Sequence, residues 1–129
     1  MQENAITSQI VDAAIKVHRT LGPGLLESVY QRVLTYELEQ RGFRVEEQKL
    51  ISVVYGALVI ENAFFADQIV NEKVVVELKS TEEISPLHKK KLLTYLRLTN
   101  LKVGLLVNFN VNLLKDGIVR IVNGFEQDS

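Results

Sequence analysis

The chain contains no cysteine. Disulfides and thiolate metal sites are therefore excluded, and a reducing cytoplasm is the natural setting. Long apolar runs are also missing. Nothing approaches the roughly 18 residues of a membrane span, so no membrane association is expected. The first residues do not read as a signal peptide, because Glu3 and Asp12 interrupt any apolar stretch. Neither sign of charge predominates: Lys plus Arg number 15 and Asp plus Glu 16, a net charge of −1. No global basic field draws the protein to nucleic acid, so such binding needs a local patch or a bound metal. There is no internal repeat, low-complexity segment or linker. The 129 residues are expected to form a single domain with one core.

Against this ordinary background one stretch stands out, Asp67 to Lys79. Val74, Val75 and Val76 form a β-branched run that predicts a largely buried strand. The strand ends in Glu77 and Lys79, which share one face by alternation while Leu78 takes the other. Asp67 lies on the preceding apolar run, Ala66 to Val70, and the turn falls near Asn71-Glu72-Lys73. An odd-length turn centred on Glu72 pairs Val70 with Val74 and sets Asp67 opposite Glu77, on the same face. A two-residue turn would separate the two carboxylates onto different faces. The odd-length turn is the one expected here, and it gathers Asp67, Glu77 and Lys79. Adjacent carboxylates repel unless a cation or a proton sits between them. Oxygen ligands of this kind suit Mg²⁺ or Mn²⁺. The residues alone leave a second reading open, a structural salt bridge at a strand end.

The rest of the chain reads as alternating helices and strands. Ile6, Ile10, Ala13, Val17 and Leu21 recur at helical spacing, with Asn4 or Thr7 as possible caps. His18 falls near the C-terminal end of this helix and is read as a packing or capping residue. Gly22-Pro23-Gly24 breaks the helix. A second helix is predicted from about Leu25 to Arg41, with Leu26, Val29, Val33, Leu34 and Leu38 buried and Gly42 as its stop. Glu27 and Tyr30 lie on neighbouring positions of one face. Strand is predicted from Phe43 to about Tyr55, then from Leu58 to Val70 with a bend near Asn62. Ser85 and Pro86 mark the start of a third helix that runs to Thr99 and stops at Asn100. Its core residues are read as Leu92, Leu93 and Leu96, with Tyr95 as a further candidate. Lys89, Lys90 and Lys91 are either a solvated face or a phosphate-facing patch. Val103 to Phe109 predicts a central strand, parallel to an earlier one after the helical crossover. Lys115-Asp116-Gly117 is a turn, Ile118 to Val122 a short strand, and the tail 126–129 polar and frayed.

Three features occur in order: Gly24-Leu-Leu-Glu27-Ser-Val-Tyr30, the Asp67…Glu77-Leu78-Lys79 cluster, and Tyr95-Leu-Arg before Gly104-Leu-Leu-Val-Asn-Phe109. Together they resemble the GxxExxY proteins, a small family placed in the PD-(D/E)xK nuclease superfamily. The resemblance implies an α/β (α+β) fold: a restriction-endonuclease-like core, a mixed sheet flanked by helices, with two N-terminal helices. It implies a Mg²⁺-dependent (or Mn²⁺-dependent) nuclease acting on DNA or RNA. The implied metal ligands are Asp67, Glu77 and Glu27, with Lys79 assisting the attacking water. It implies substrate contacts at Tyr95, Lys91 and Tyr30. Lys91 stands where the exonuclease-like branch carries Gln, and Ala66 where a Pro is usual. An alternative is a non-catalytic binding or assembly module on the same fold. A chain this short has little surface to clamp a duplex, so a homo-oligomer, most simply a dimer, is expected under either reading.

Overall fold

The computed structural model describes residues 1–124. The tail 126–129, expected to fray, lies outside the described residues. Two helices come first, α1 (Glu3–Leu21) and α2 (Glu27–Gln40). Strands β1 (Val45–Tyr55), β2 (Leu58–Val70) and β3 (Val74–Lys79) follow as a meander. Helix α3 (Pro86–Thr99) then crosses to β4 (Val103–Asn108), and a 3₁₀ turn at Leu114–Gly117 leads into β5 (Ile118–Val122). The described strands form one sheet in the order β1-β2-β3-β4-β5. Every neighbouring pair is antiparallel except β3 and β4, which the α3 crossover makes parallel. This is the mixed α+β sheet with two leading helices that the sequence predicts.

The sheet has a core on each face. Val70, Val74, Val76, Leu78, Leu105 and Val107 pack with Ile6, Ile10, Val17 and Leu34 of α1 and α2. Ile69, Val75 and Leu106 pack with Leu92 and Leu96 of α3. Successive residues of β2 and β3 thus alternate between helical layers, as a strand buried on both faces requires. That accounts for the unbroken valine run. Gly104 lets α3 lie close to the sheet, since a Cβ there would stand 2.9 Å from the Leu92 side chain.

Helix ends differ from expectation in instructive ways. Gln2 is the cap position of α1 and makes no side-chain cap bond, while Thr7 donates back to Asn4 O within the helix. Helix α2 begins at Glu27, not Leu25, and its buried residues are Tyr30, Leu34, Thr35 and Leu38. The expected burial of Leu26 and Val29 is wrong: they are 74% and 40% exposed. Leu26 lies before the helix, in extended backbone, so helical spacing does not carry its side chain inward. Helix α3 matches closely, with Ser85 as cap, Pro86 at the start and Asn100 in left-handed conformation at the end.

The β1–β2 hairpin runs past both cores. The pairing shifts between Ile51 and Val53, and Asn62 takes a positive φ of 52° where β2 carries extra residues. Beyond that irregularity Val54, Tyr55, Leu58, Val59 and Ile60 are all exposed. Phe64 anchors the ribbon's base by stacking on Tyr95 of α3, with ring centroids 4.2 Å apart.

Candidate active site

The β2–β3 turn has three residues, 71–73, so Val70 pairs with Val74, Ile69 with Val75 and Gln68 with Val76. The next positions are Asp67 and Glu77. By alternation Asp67 falls with Ile69, and Glu77 and Lys79 with Val75, on the α3 side of the sheet. Here the carboxylates take over from the ladder. Glu77 Oε2 accepts the Asp67 N–H at 2.7 Å, and Asp67 Oδ2 accepts the Leu78 N–H at 2.8 Å. The strand beyond is held by β4: the Phe109 N–H donates to Lys79 O at 2.9 Å. Buried Asn108 clamps the following loop through Thr81, accepting its N–H and donating to its carbonyl.

Glu77 is only 9% exposed. Burial, followed by the neighbouring Asp67 charge, pushes its carboxyl up to about 8, against the pull of the Asp67 N–H and Lys79. Burial also raises the Asp67 carboxyl, opposed by the Leu78 N–H, Lys79 and Gln48. Gln48 stands opposite Asp67 on β1, between the pairs Glu47–Gln68 and Lys49–Ala66, and carries a positive φ of 50°. Its amide also donates to Gln31 Oε1 at 2.8 Å, which ties the site to α2.

Helix α3 closes the site. Glu77 and Lys79 share a small cleft of about 70 Å³ with His88, Lys91, Leu92, Tyr95 and Leu106. Positions 88, 91 and 95 lie on one face of α3. Burial and the charges of Glu77 and Asp67 raise the Tyr95 hydroxyl, which places that ring within their field. Lys91 and Tyr95 thus line the same cleft as Glu77 and Lys79. Lys89 and Lys90 are exposed and line no part of this cleft. A larger hollow of about 350 Å³ lies by Ile15, His18 and Leu114, without any carboxylate.

Tyr30 requires a correction. It is fully buried, so it cannot touch a substrate. Its ring stacks on Phe109 at 4.2 Å and 5°. Its hydroxyl donates to Gly22 O at 2.6 Å and accepts the Leu25 N–H at 3.1 Å. Tyr30 therefore fixes the Gly22-Pro23-Gly24 turn and the entry to α2. That entry is pinned to the end of β3 by Ser80, whose hydroxyl donates to Leu25 O at 2.7 Å. Glu27 follows at the start of α2, exposed, and its charge raises both Glu77 and Asp67.

His88 escaped the sequence reading. The available signal was its place three residues before Lys91 and seven before Tyr95. His88 Nδ1 accepts the Ser85 N–H at 3.1 Å, while Ser85 Oγ accepts the His88 N–H at 3.3 Å, a reciprocal cap. Burial and the charges of Lys79 and Lys91 lower its pKa.

Asp67 and Glu77 suit a hard divalent cation. Each has one oxygen tied to a backbone N–H; the Gln48 side chain also hydrogen-bonds Asp67, while Glu77 Oε1 takes no hydrogen bond from the described residues. Mg²⁺ is commonly held by one or two carboxylates and retains water. Among the described residues no three His, Asp or Glu side chains gather closely enough to hold a metal. Glu27 is thus at the rim of the pair and not joined to it.

A family model for the PD-(D/E)XK nuclease superfamily matches residues 4–121. The chain belongs to that superfamily. The mixed sheet, with helices on both faces, is accordingly the restriction-endonuclease-like fold. Glu77 and Lys79 lie at the C-terminal end of β3, with Asp67 beside Glu77 on β2. Neither curated proteins nor solved structures give a significant match. No helix among the described residues is long and apolar enough to cross a membrane.

Proposed function

We propose that this protein hydrolyses phosphodiester bonds of nucleic acid, DNA or RNA, with Mg²⁺ or Mn²⁺ as its cofactor, and that it is a GxxExxY-type member of the superfamily. The observation that carries the reading is the reciprocal clasp of Asp67 and Glu77 beside Lys79. Two carboxylates are held together in a partly buried place where, without a cation, they oppose each other's ionisation. Membership in a nuclease superfamily gives that arrangement a chemistry.

Asp67 and Glu77 would hold the cation, with Glu27 contributing from the rim. The cation would supply electrostatic stabilisation of the charge that develops on the phosphate. The chain's own residues do the rest. Lys79 would orient the attacking water and offset negative charge. Lys91 and Tyr95 would position the strand from α3. Water adds to phosphorus, one P–O ester bond breaks, and the products are a phosphate monoester and a free hydroxyl.

The same reading includes a homodimer. Residues 50–60 contain no charged side chain, and beyond buried Ile51 and half-buried Val53 the ribbon they form is exposed. An uncharged apolar ribbon suits a second copy of itself better than a polyanion.

Labelled single- and double-stranded DNA and RNA, incubated with Mg²⁺ or Mn²⁺, test the activity. Cleavage by the parent and none by Asp67→Asn is expected. If no substrate is cut and calorimetry detects no cation binding, the enzyme reading is overturned. A non-catalytic binding module then stands in its place, a reading favoured by exposed Glu27 and by Lys91 at the Gln position.

A further inference from the structure

We propose that His88 is a further substrate-contacting residue, a neutral imidazole that donates its Nε2–H to a phosphate oxygen of a strand lying between α3 and β3. The inference rests on the phosphodiesterase reading and deepens it.

The starting point is the cap of α3. A backbone N–H can only donate, so the Ser85 N–H requires an unprotonated Nδ1 on His88. The proton of the neutral ring is then on Nε2. Glu or Gln is the usual residue at this capping position. A Glu would satisfy the same N–H but turn a negative charge toward the cleft. His88 satisfies it with one nitrogen and keeps a donor on the other.

That donor has a direction and surroundings. The ring lines the cleft with Glu77, Lys79, Lys91 and Tyr95. Among the described residues Nε2 has no hydrogen-bond partner, since the ring's one bond is that at Nδ1. The other histidine is a useful contrast. His18 Nε2 lies 2.7 Å from Val111 O, and its ring is tilted against Phe109, so both its polar edge and its face serve the fold. His88 instead offers an unused donor beside two lysines that share its cleft or its field. A neutral donor set between cations adds a hydrogen bond to an anion without adding repulsion between the cations.

The chain has only two histidines, which makes imidazole NMR decisive. Long-range ¹H–¹⁵N spectra of the parent should show both rings protonated at Nε2. A 5′-phosphorylated hexathymidylate, added with Ca²⁺ in place of Mg²⁺, should shift the His88 Nε2 resonance and leave His18 unmoved. His88→Glu retains the cap but removes the donor, so it should fold with parent-like melting. His88→Gln keeps the cap and an N–H donor, so it should retain more activity than His88→Glu. Loss of one hydrogen bond to a charged group, together with the negative charge that Glu turns toward the cleft, should raise KM by about tenfold or more in His88→Glu. A His88 protonated at Nδ1 overturns the proposal. So does a His88 Nε2 that ignores the oligonucleotide while the amides of residues 77–79 respond or cleavage proceeds. If neither those amides nor either imidazole responds and nothing is cut, the phosphodiesterase reading itself fails, and the role of His88 with it.

Discussion

Asp67 and Glu77 each bind the backbone of the strand opposite: Glu77 Oε2 receives the Asp67 N–H and Asp67 Oδ2 the Leu78 N–H. Side chains here act as the last rungs of a β-ladder. An acceptor is needed at both positions, but a negative charge is not.

Substitutions should separate these two requirements. Asp67→Asn keeps an oxygen for the Leu78 N–H and relieves the repulsion with Glu77. Its metal-free melting temperature should equal or exceed the parent's, while Mg²⁺-dependent stabilisation and cleavage disappear. Asp67→Ala leaves the Leu78 N–H without its acceptor and should cost about 1–3 kcal/mol in a denaturant titration.

The acidic pair also sets a pH dependence. Glu77 titrates near 4.5 when unfolded and is raised to about 8 in the fold. Between those values the folded state holds more protons, so metal-free stability falls as pH rises. The contribution is complete below about 4.5 and lost above about 8. Asp67, also raised, acts in the same direction. His88 is lowered and acts oppositely: its contribution is present above 6.5 and lost as pH falls through its folded pKa. Melting curves in chelator should show Glu77→Gln more stable than the parent at pH 8, with the difference vanishing toward pH 4.5. Mg²⁺ should stabilise the parent more at pH 8 than at pH 5.

Tyr30 tests the corrected role of the GxxExxY tyrosine. Tyr30→Phe keeps the stack on Phe109 but removes the bond to Gly22 O and strands the Leu25 N–H. A loss of about 1–3 kcal/mol is expected by chemical denaturation, with no change in KM. A raised KM at unchanged stability would return Tyr30 to the substrate.

Only one of the three consecutive lysines reaches the cleft. Lys91→Gln should weaken oligonucleotide binding and reduce the slope of log affinity against log salt by about 0.7–0.9, the contribution of one phosphate contact. Lys89→Ala combined with Lys90→Ala should leave that slope at the parent value.

The ribbon carries the prediction on assembly. Tyr55→Lys with Val59→Lys adds charge to side chains that are 82% and 55% exposed. Light scattering should show a dimeric parent and a monomeric variant of unchanged melting temperature. A parent that is already monomeric would refute the dimer.

Much of the site was legible because a strand has a strict period of two. Once the 71–73 turn is odd in length, Asp67, Glu77 and Lys79 have only one way to face. The helical half was less legible. Leu26 and Val29 continue an apolar pattern, but α2 starts at Glu27 and buries the row Tyr30, Leu34 and Leu38. Tyr30 carries a hydroxyl that sequence reading turns toward substrate, whereas two backbone groups in the adjacent turn satisfy it. His88 was passed over because capping rules favour Glu or Gln at its position, and nothing in α3 alone shows that β3 lies across from it. The ribbon was read as strand but not as exposed, since β-branched alternation looks alike in a core and on a protruding hairpin.

The one parallel strand pair has a meaning in time. Residues 45–79 can fold back on themselves as they emerge, through two short turns. Strand β3 then waits for a partner that arrives only with residues 103–108. Until it does, Val74, Val75 and Val76 form an open, uncharged sheet edge. A chain stalled or cut within α3 therefore already carries Asp67, Glu77 and Lys79, yet presents a sticky edge where the finished protein has one of its two buried central strands.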